Sequence, residues 1–138
     1  MTGTETETLA PETVDPDAEY EQLCTELLRN TRFRRHRAAV QAMVEERTVL
    51  SVPAVQRALI VDSRKGRAAC FEGLSGLQYG LGLDEQQRAF LHLVLSMVGI
   101  GITTLASAED LDDRRLPIIV RAILRLAGNE DLAVGRRL

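Results

Sequence analysis

From Ala89 to Ala108 the chain runs for 20 residues without a charge, AFLHLVLSMVGIGITTLASA, between Arg88 and Glu109. A surface helix needs a polar face to meet water, and this run offers only His92, Ser96, Thr103 and Thr104 for one. Its surroundings must therefore be apolar nearly all round. A bilayer is one such surrounding, since the length reaches the lower bound for a span and Gly99 and Gly101 are tolerated there. Three features favour protein instead. Polar groups dilute the run, Asp84 with Gln87 forms a capping box ahead of it, and acidic residues close it without a basic cluster or aromatic belt. The run predicts a central helix over about 84–106, wrapped by amphipathic neighbours, and makes a membrane an unlikely partner.

The neighbours can be read from periodicity and caps. Asp15 can cap and Pro16 can take the first helical position of a helix over about 16–29, whose face carries Tyr20, Leu23, Cys24, Leu27 and Leu28. A second helix follows Asn30-Thr31 with Phe33, Val40, Met43 and Val44 on one side, and it should end near Arg47. Residues 53–60 suit a short third helix. A further start falls at Ser107, and Pro117 suits the first turn of a last helix ending on Gly128, with Ile119, Ala122, Ile123 and Leu126 as its buried stripe.

Residues 57–73 admit two readings. One is a hairpin, with Leu59-Ile60-Val61 and Ala69-Cys70-Phe71 as short strands around Ser63-Arg64-Lys65-Gly66. The other is a helix from Asp62 or Ser63 carrying Ala69, Cys70, Leu74 and Leu77, weakened by Gly66, Gly73 and Gly76 at roughly 1 kcal/mol each. The helix is the favoured reading, with the hairpin kept open. At 138 residues, 45% of them hydrophobic, the expectation is a mainly α, single-domain bundle of five or six helices over residues 14–128. A flexible acidic tail over 1–13 and a C-terminal tail over 129–138 flank it. Five modest helices leave part of a fully apolar centre uncovered, which predicts a homodimer through Leu91, Leu95, Val98 and Ile102.

Charge is distributed unevenly. Residues 1–28 carry eight acids and no Lys or Arg, so a total of −3 leaves the remaining residues at +5. Residues 29–67 alone hold ten basic residues against Glu45, Glu46 and Asp62, or +7, a density that attracts an acidic protein or DNA. The acidic arm can fold back over this region and compete with such a partner. Arg114, Arg121 and Arg125, at steps of seven and four on the last helix, read as a solvated face and as a second candidate surface for an acidic partner.

Two local patterns carry resemblances. Ser51-Val52-Pro53-Ala54-Val55-Gln56-Arg57-Ala58-Leu59 resembles the start of a recognition helix in helix-turn-helix proteins. That resemblance implies Gln56 and Arg57 at base edges with Arg34, Arg35, Arg37 and Arg64 on phosphates, although Glu45 and Val49 depart from the pattern upstream. The passage from Val52-Pro53-Ala54-Val55 through Ala58-Leu59-Ile60-Val61 to Lys65-Gly66 is similar to roadblock-type regulatory domains, where a Val-Pro turn leads into a hairpin. That family implies three further strands after its central helix, where residues 116–138 read as helix.

Catalytic patterns are sparse. His36 lies inside RFRRHR as a member of a basic face and His92 lies inside the apolar run, without metal-ligand spacing to each other or to the cysteines. Cys24 and Cys70 sit on apolar patterns and fit reduced thiols. Glu109, Asp110, Asp112 and Asp113 lack the alternation and turn glycine of a calcium loop and suit a helix start. Residues 1–13 are rich in Thr and Glu where a secretory signal would be basic and then apolar. The expectation is a non-enzymatic, cytoplasmic regulatory or scaffolding protein that works without a cofactor, through protein contact, as a homodimer. The second reading is a DNA-binding regulator using residues 51–65, and the third a single-span membrane-associated protein.

Overall fold

Asp15 opens the first helix as expected: its carboxylate accepts from the Asp17 amide at 3.1 Å while Pro16 takes the first position of α1, Pro16–Arg29. The computed structural model describes residues 15–77 and 79–137, so the expected acidic tail over 1–13 lies outside the described residues. After α1 come α2 (Arg34–Glu46), α3 (Pro53–Leu59), strands β1 (Ile60–Ser63) and β2 (Gly66–Ala69), a 3-10 helix over Phe71–Leu74, α4 (Glu85–Met97), a second 3-10 helix over Leu105–Asp110, and α5 (Arg115–Leu126). The fold is mainly helical, a single domain with one small antiparallel sheet.

The centre of the molecule is α2 rather than a long helix over 84–106. It packs along α5 and also touches α1 and α4, and its Ala39, Ala42 and Met43 are fully enclosed. Small side chains on this stripe let three neighbours approach one helix. Tyr20 of α1 reaches across to its far end, donating its hydroxyl to the Val44 carbonyl at 3.0 Å. Burial raises the Tyr20 pKa and keeps that proton in place.

The expected central helix stops at Met97. The Ile100 amide bonds the Leu95 carbonyl at 2.9 Å and the Gly99 amide bonds Ser96 at 3.1 Å, the paired bonds of a Schellman cap, with Gly99 at φ +79°. A residue with a Cβ adopts that backbone only at a cost, so the glycine ends the helix instead of being carried through it. The start is as read from sequence: Gln87 and Asp84 exchange bonds at 2.8 and 3.0 Å in a capping box. Among the described residues no helix is long and apolar enough to cross a membrane.

The shorter α4 is covered by its own chain. Leu91, Leu95 and Val98 are buried in the core with Phe90 and Val94, and of the four residues expected at a dimer interface only Ile102 is exposed, at 99%. The premise that a second copy must finish covering this helix therefore fails. On α5 the buried stripe is Ile118, Ile119 and Ala122, with Ile123 turned toward solvent instead. A Schellman cap at Gly128, φ +73°, ends α5 where expected.

Residues 60–69 form the hairpin, which corrects the favoured helical reading. Ile60 pairs with Ala69 and Ser63 with Gly66, leaving Arg64-Lys65 as a two-residue turn. The hairpin is fixed from outside by α1. Glu26 accepts from the Arg67 amide at 3.0 Å and from its guanidinium at 2.7 Å, and Asn30 donates to the Arg67 carbonyl at 2.8 Å. An edge strand thus finds partners for backbone groups that a helix would have satisfied internally. Among the described residues no strand follows α4, so the further strands of a roadblock domain are absent there.

This clamp predicts an acid response. Arg67 hydrogen bonds hold the Glu26 carboxyl at about 2 instead of its ordinary 4.5. A folded-state value below the unfolded one means stabilisation that is complete above the ordinary value and lost as pH falls toward the depressed one. The hairpin is expected to loosen over that interval, seen as movement and line broadening of the Gly66 and Arg67 amide resonances. Glu26→Gln should remove the dependence; an unchanged titration in that variant would assign it to other groups.

Candidate functional site

Helix α2 begins with a first turn that has no acidic residue and no side-chain cap, and it carries Arg34, Arg35 and Arg37. Positive side chains at a helix N-terminus oppose the macrodipole, so the local potential is strongly positive. Arg37 relieves part of it by donating to the Leu28 carbonyl at 3.0 Å. Arg34 lies against the end of α5, close enough that a Cβ at Gly128 would stand 2.7 Å from its Nη1. There the guanidinium meets the negative end of the α5 dipole.

Across from this turn stand Arg121 and Arg125. One carboxylate holds both: Glu45 Oε1 accepts from Arg121 Nη2 at 3.0 Å and Oε2 from Arg125 Nη2 at 2.8 Å. The Arg125 Nη1 is shielded from solvent and has no acceptor among the described residues. The space between is a groove of about 840 Å³, with Arg32, Arg34 and Arg37 on one side, Arg121 and Arg125 on the other, and tail residues 128–130 and 132–134 as a further wall. Five arginines line the groove against one lining carboxylate, Glu130, and Glu45, paired with Arg121 and Arg125, offsets part of their charge, which leaves the groove cationic. The tail is held by Asn129, whose side-chain oxygen accepts from the Asp131 and Leu132 amides at 2.9 and 3.0 Å.

The residues singled out in the sequence are divided by the fold. Arg34 and Arg37 line the groove, whereas Arg35 points to the end of α4, with its Nη1 3.4 Å from where a Gly99 Cβ would stand. Gln56, Arg57 and Arg64 do not line it. Gln56 is half-buried, and its amide donates to the Leu50 carbonyl at 2.9 Å, so it is tied to the preceding turn instead of being presented to a base edge. α3 is only seven residues long and passes directly into β1, while fully buried Val49 fills the turn before it. This is not the geometry that the helix-turn-helix resemblance implies. Arg57 and Arg64 are exposed.

Sequence reasoning passed over Arg32, Glu45 and the tail as parts of a site. The pairing of Glu45 with two arginines 76 and 80 positions later leaves no local trace. The two histidines lie elsewhere. His36 is half-buried beside Phe71, ring centroids 6.2 Å apart, instead of exposed on a basic face. His92 packs edge-on against Tyr79 at 5.8 Å, and burial, then the Arg88 charge, lowers its pKa. It borders a smaller cavity of about 390 Å³ with Thr103, Thr104 and Ser107, whose lining includes no charged side chain. Among the described residues no three His, Cys, Asp or Glu side chains are placed to hold a metal.

Compared with known proteins, the chain matches no family model, no curated protein and no solved structure.

Proposed function

We propose that the protein is a non-enzymatic regulatory or scaffolding module that holds an acidic segment of a protein partner in the arginine groove. One observation carries this reading. Arg32, Arg34 and Arg37 and the distant Arg121 and Arg125 face one concavity large enough for several residues of a peptide. Scattered surface arginines repel and spread into solvent; here a half-buried carboxylate, Glu45, holds two of them in place, which lowers the entropy lost when a partner binds. Planar guanidinium groups suit carboxylate oxygens bidentately. Arg32 and Arg34 form no ion pair among the described residues, so their charge is available to a partner.

Arg32→Glu with Arg34→Glu is expected to weaken binding of a fluorescein-labelled glutamate-rich octapeptide by about tenfold or more, read by anisotropy at low salt. The same reversal at exposed Arg136 and Arg137, outside the groove, should change it little. Equal losses at both places would reduce the effect to net charge and overturn the reading. Tighter binding of a duplex DNA than of the peptide, lost in the same groove variant, would replace the protein partner by nucleic acid.

A further inference from the structure

We infer that the loop after α4 is the contact of a reversible homodimer, in which Ile102 of each copy enters the cavity beside His92 of the other. α4 itself needs no second copy, but the loop that follows it is left uncovered. Ile102 is the most exposed large apolar side chain among the described residues, at 99%. Gly99 and Gly101, at φ +79° and +73°, turn the chain so that Ile100 packs on the core while Ile102 stands clear of it. Leu105 and Tyr79 are 75% and 78% exposed. No charge occurs from Gly99 to Ala108, in a chain of which 27% is charged. Charge depletion beside an exposed tyrosine is the composition of an interface centre, not of a solvated loop.

Shape, charge and area select a second copy as the occupant. Ile102 and Tyr79 both border the cavity of about 390 Å³, so one surface carries a protrusion and, next to it, a recess that neither fills. A two-fold contact requires that pairing, because whatever one copy offers the other must receive. Tyr79 and Ile100 give the recess apolar walls for an isoleucine. Its remaining side chains are uncharged, with His92 kept neutral by its lowered pKa, so it offers no counter-ion to the acidic segment that suits the arginine groove. Large side chains of this kind expose roughly 200 Å² each when free, so Tyr79, Ile102 and Leu105 present about 500 Å² per copy. Two such faces bury about 1,000 Å², the size at which a specific but reversible interface begins. The cavity shares no lining residue with the arginine groove, so pairing does not draw on the groove.

The test is sedimentation equilibrium of the full chain from about 1 to about 200 μM, a range that brackets a micromolar dissociation constant. The mean mass should rise from 15.3 kDa toward twice that value. Ile102→Asp should weaken association about 30-fold or more. Ser107→Phe, which fills the recess and leaves Ile102 in place, should also weaken it, whereas Ile123→Asp on the half-exposed side of α5 should not. Because Ile102 touches solvent almost entirely, its substitution should leave the circular dichroism of the chain unchanged. In a mixture of carbon-13-labelled and unlabelled chains, filtered NOE spectra should connect the Ile102 methyls of one copy with Ile100 of the other. The Ile102→Asp chain should still bind the glutamate-rich octapeptide as the parent does, which separates this contact from the groove. A chain that stays at the monomer mass throughout would overturn the inference, as would a dimer that neither Ile102→Asp nor Ser107→Phe weakens. A monomer that instead binds phosphatidylcholine vesicles through Ile102 would assign the surface to lipid and overturn it as well.

Discussion

Glu46→Ala is expected to destabilise the protein by about 3–5 kcal/mol, read as a fall in the urea midpoint with the slope of the transition unchanged. The Glu46 side chain is fully buried at the end of α2. Its carboxylate accepts from Arg115 Nε at 3.0 Å, Arg114 Nη2 at 2.9 Å and the Val49 amide at 2.7 Å, and from the Thr48 hydroxyl. Arg115 is itself 7% exposed and is held further by Asp112 at 2.8 Å. The Arg115 amide, hydrogen-bonded to Asp112, keeps that carboxyl below its usual range. Removing Glu46 takes the acceptor from the buried Arg115 Nε and the buried Val49 amide at the junction of α2, α3 and α5, while Asp112 still holds the other end of the guanidinium. The cost comes from leaving those buried donors without an acceptor more than from the worth of the pair. Glu46→Leu combined with Arg115→Met should accordingly recover the share of the loss that comes from the guanidinium, because a packed apolar pair of similar volume leaves no buried charge, while the Val49 amide stays without its acceptor. A double variant as unstable as Glu46→Ala would contradict that account and assign the stability to the ion pair itself.

This network also shows where sequence reasoning stops. Glu45 and Glu46 look alike on a helical wheel next to Ala42 and Met43, and nothing local says that one is sealed in the core and the other shared by two arginines on α5. The distinction is made by residues 112–125, some 70 positions away. Features encoded within one turn of chain were legible: the Asp15-Pro16 start of α1, the Asp84/Gln87 box of α4 and the Gly128 end of α5 all stand where caps and periodicity place them. Gly99 carries the same kind of signal as Gly128, but apolar residues on both sides of it extended the apparent helix. The hairpin was obscured for the opposite reason. Its strands are short and lack strong alternation, and much of what fixes them comes from Glu26 and Asn30 on α1. The groove is an intermediate case. Its arginines were visible as two basic stretches, while their convergence depends on α2 packing along α5.

Gly73→Ala is expected to cost about 3 kcal/mol, the upper end of what forced overpacking exacts, for a reason unrelated to helix propensity. A Cβ at this position would stand 1.9 Å from the Ala58 carbonyl oxygen and 3.0 Å from its carbon. Both atoms are backbone of α3, so no side-chain rotation relieves the clash; the 3-10 helix over Phe71–Leu74 must move away from α3. That displacement pulls on Phe71 and Leu74, which are fully buried in the main core, and on the bond of 2.7 Å from the Cys70 amide to the Leu59 carbonyl. Gly76→Ala provides the comparison. Gly76 has open space around it and φ +78°, so its substitution costs about 1–2 kcal/mol through the left-handed backbone alone. The two glycines lie three residues apart in the same connection, and urea midpoints should separate them. Equal losses would mean that the connection yields as a flexible loop and that α3 is not held by this backbone contact. A clearly larger loss at Gly73 would show that the α3 position depends on a glycine facing a carbonyl, which explains why a segment too glycine-rich for a stable helix still packs tightly.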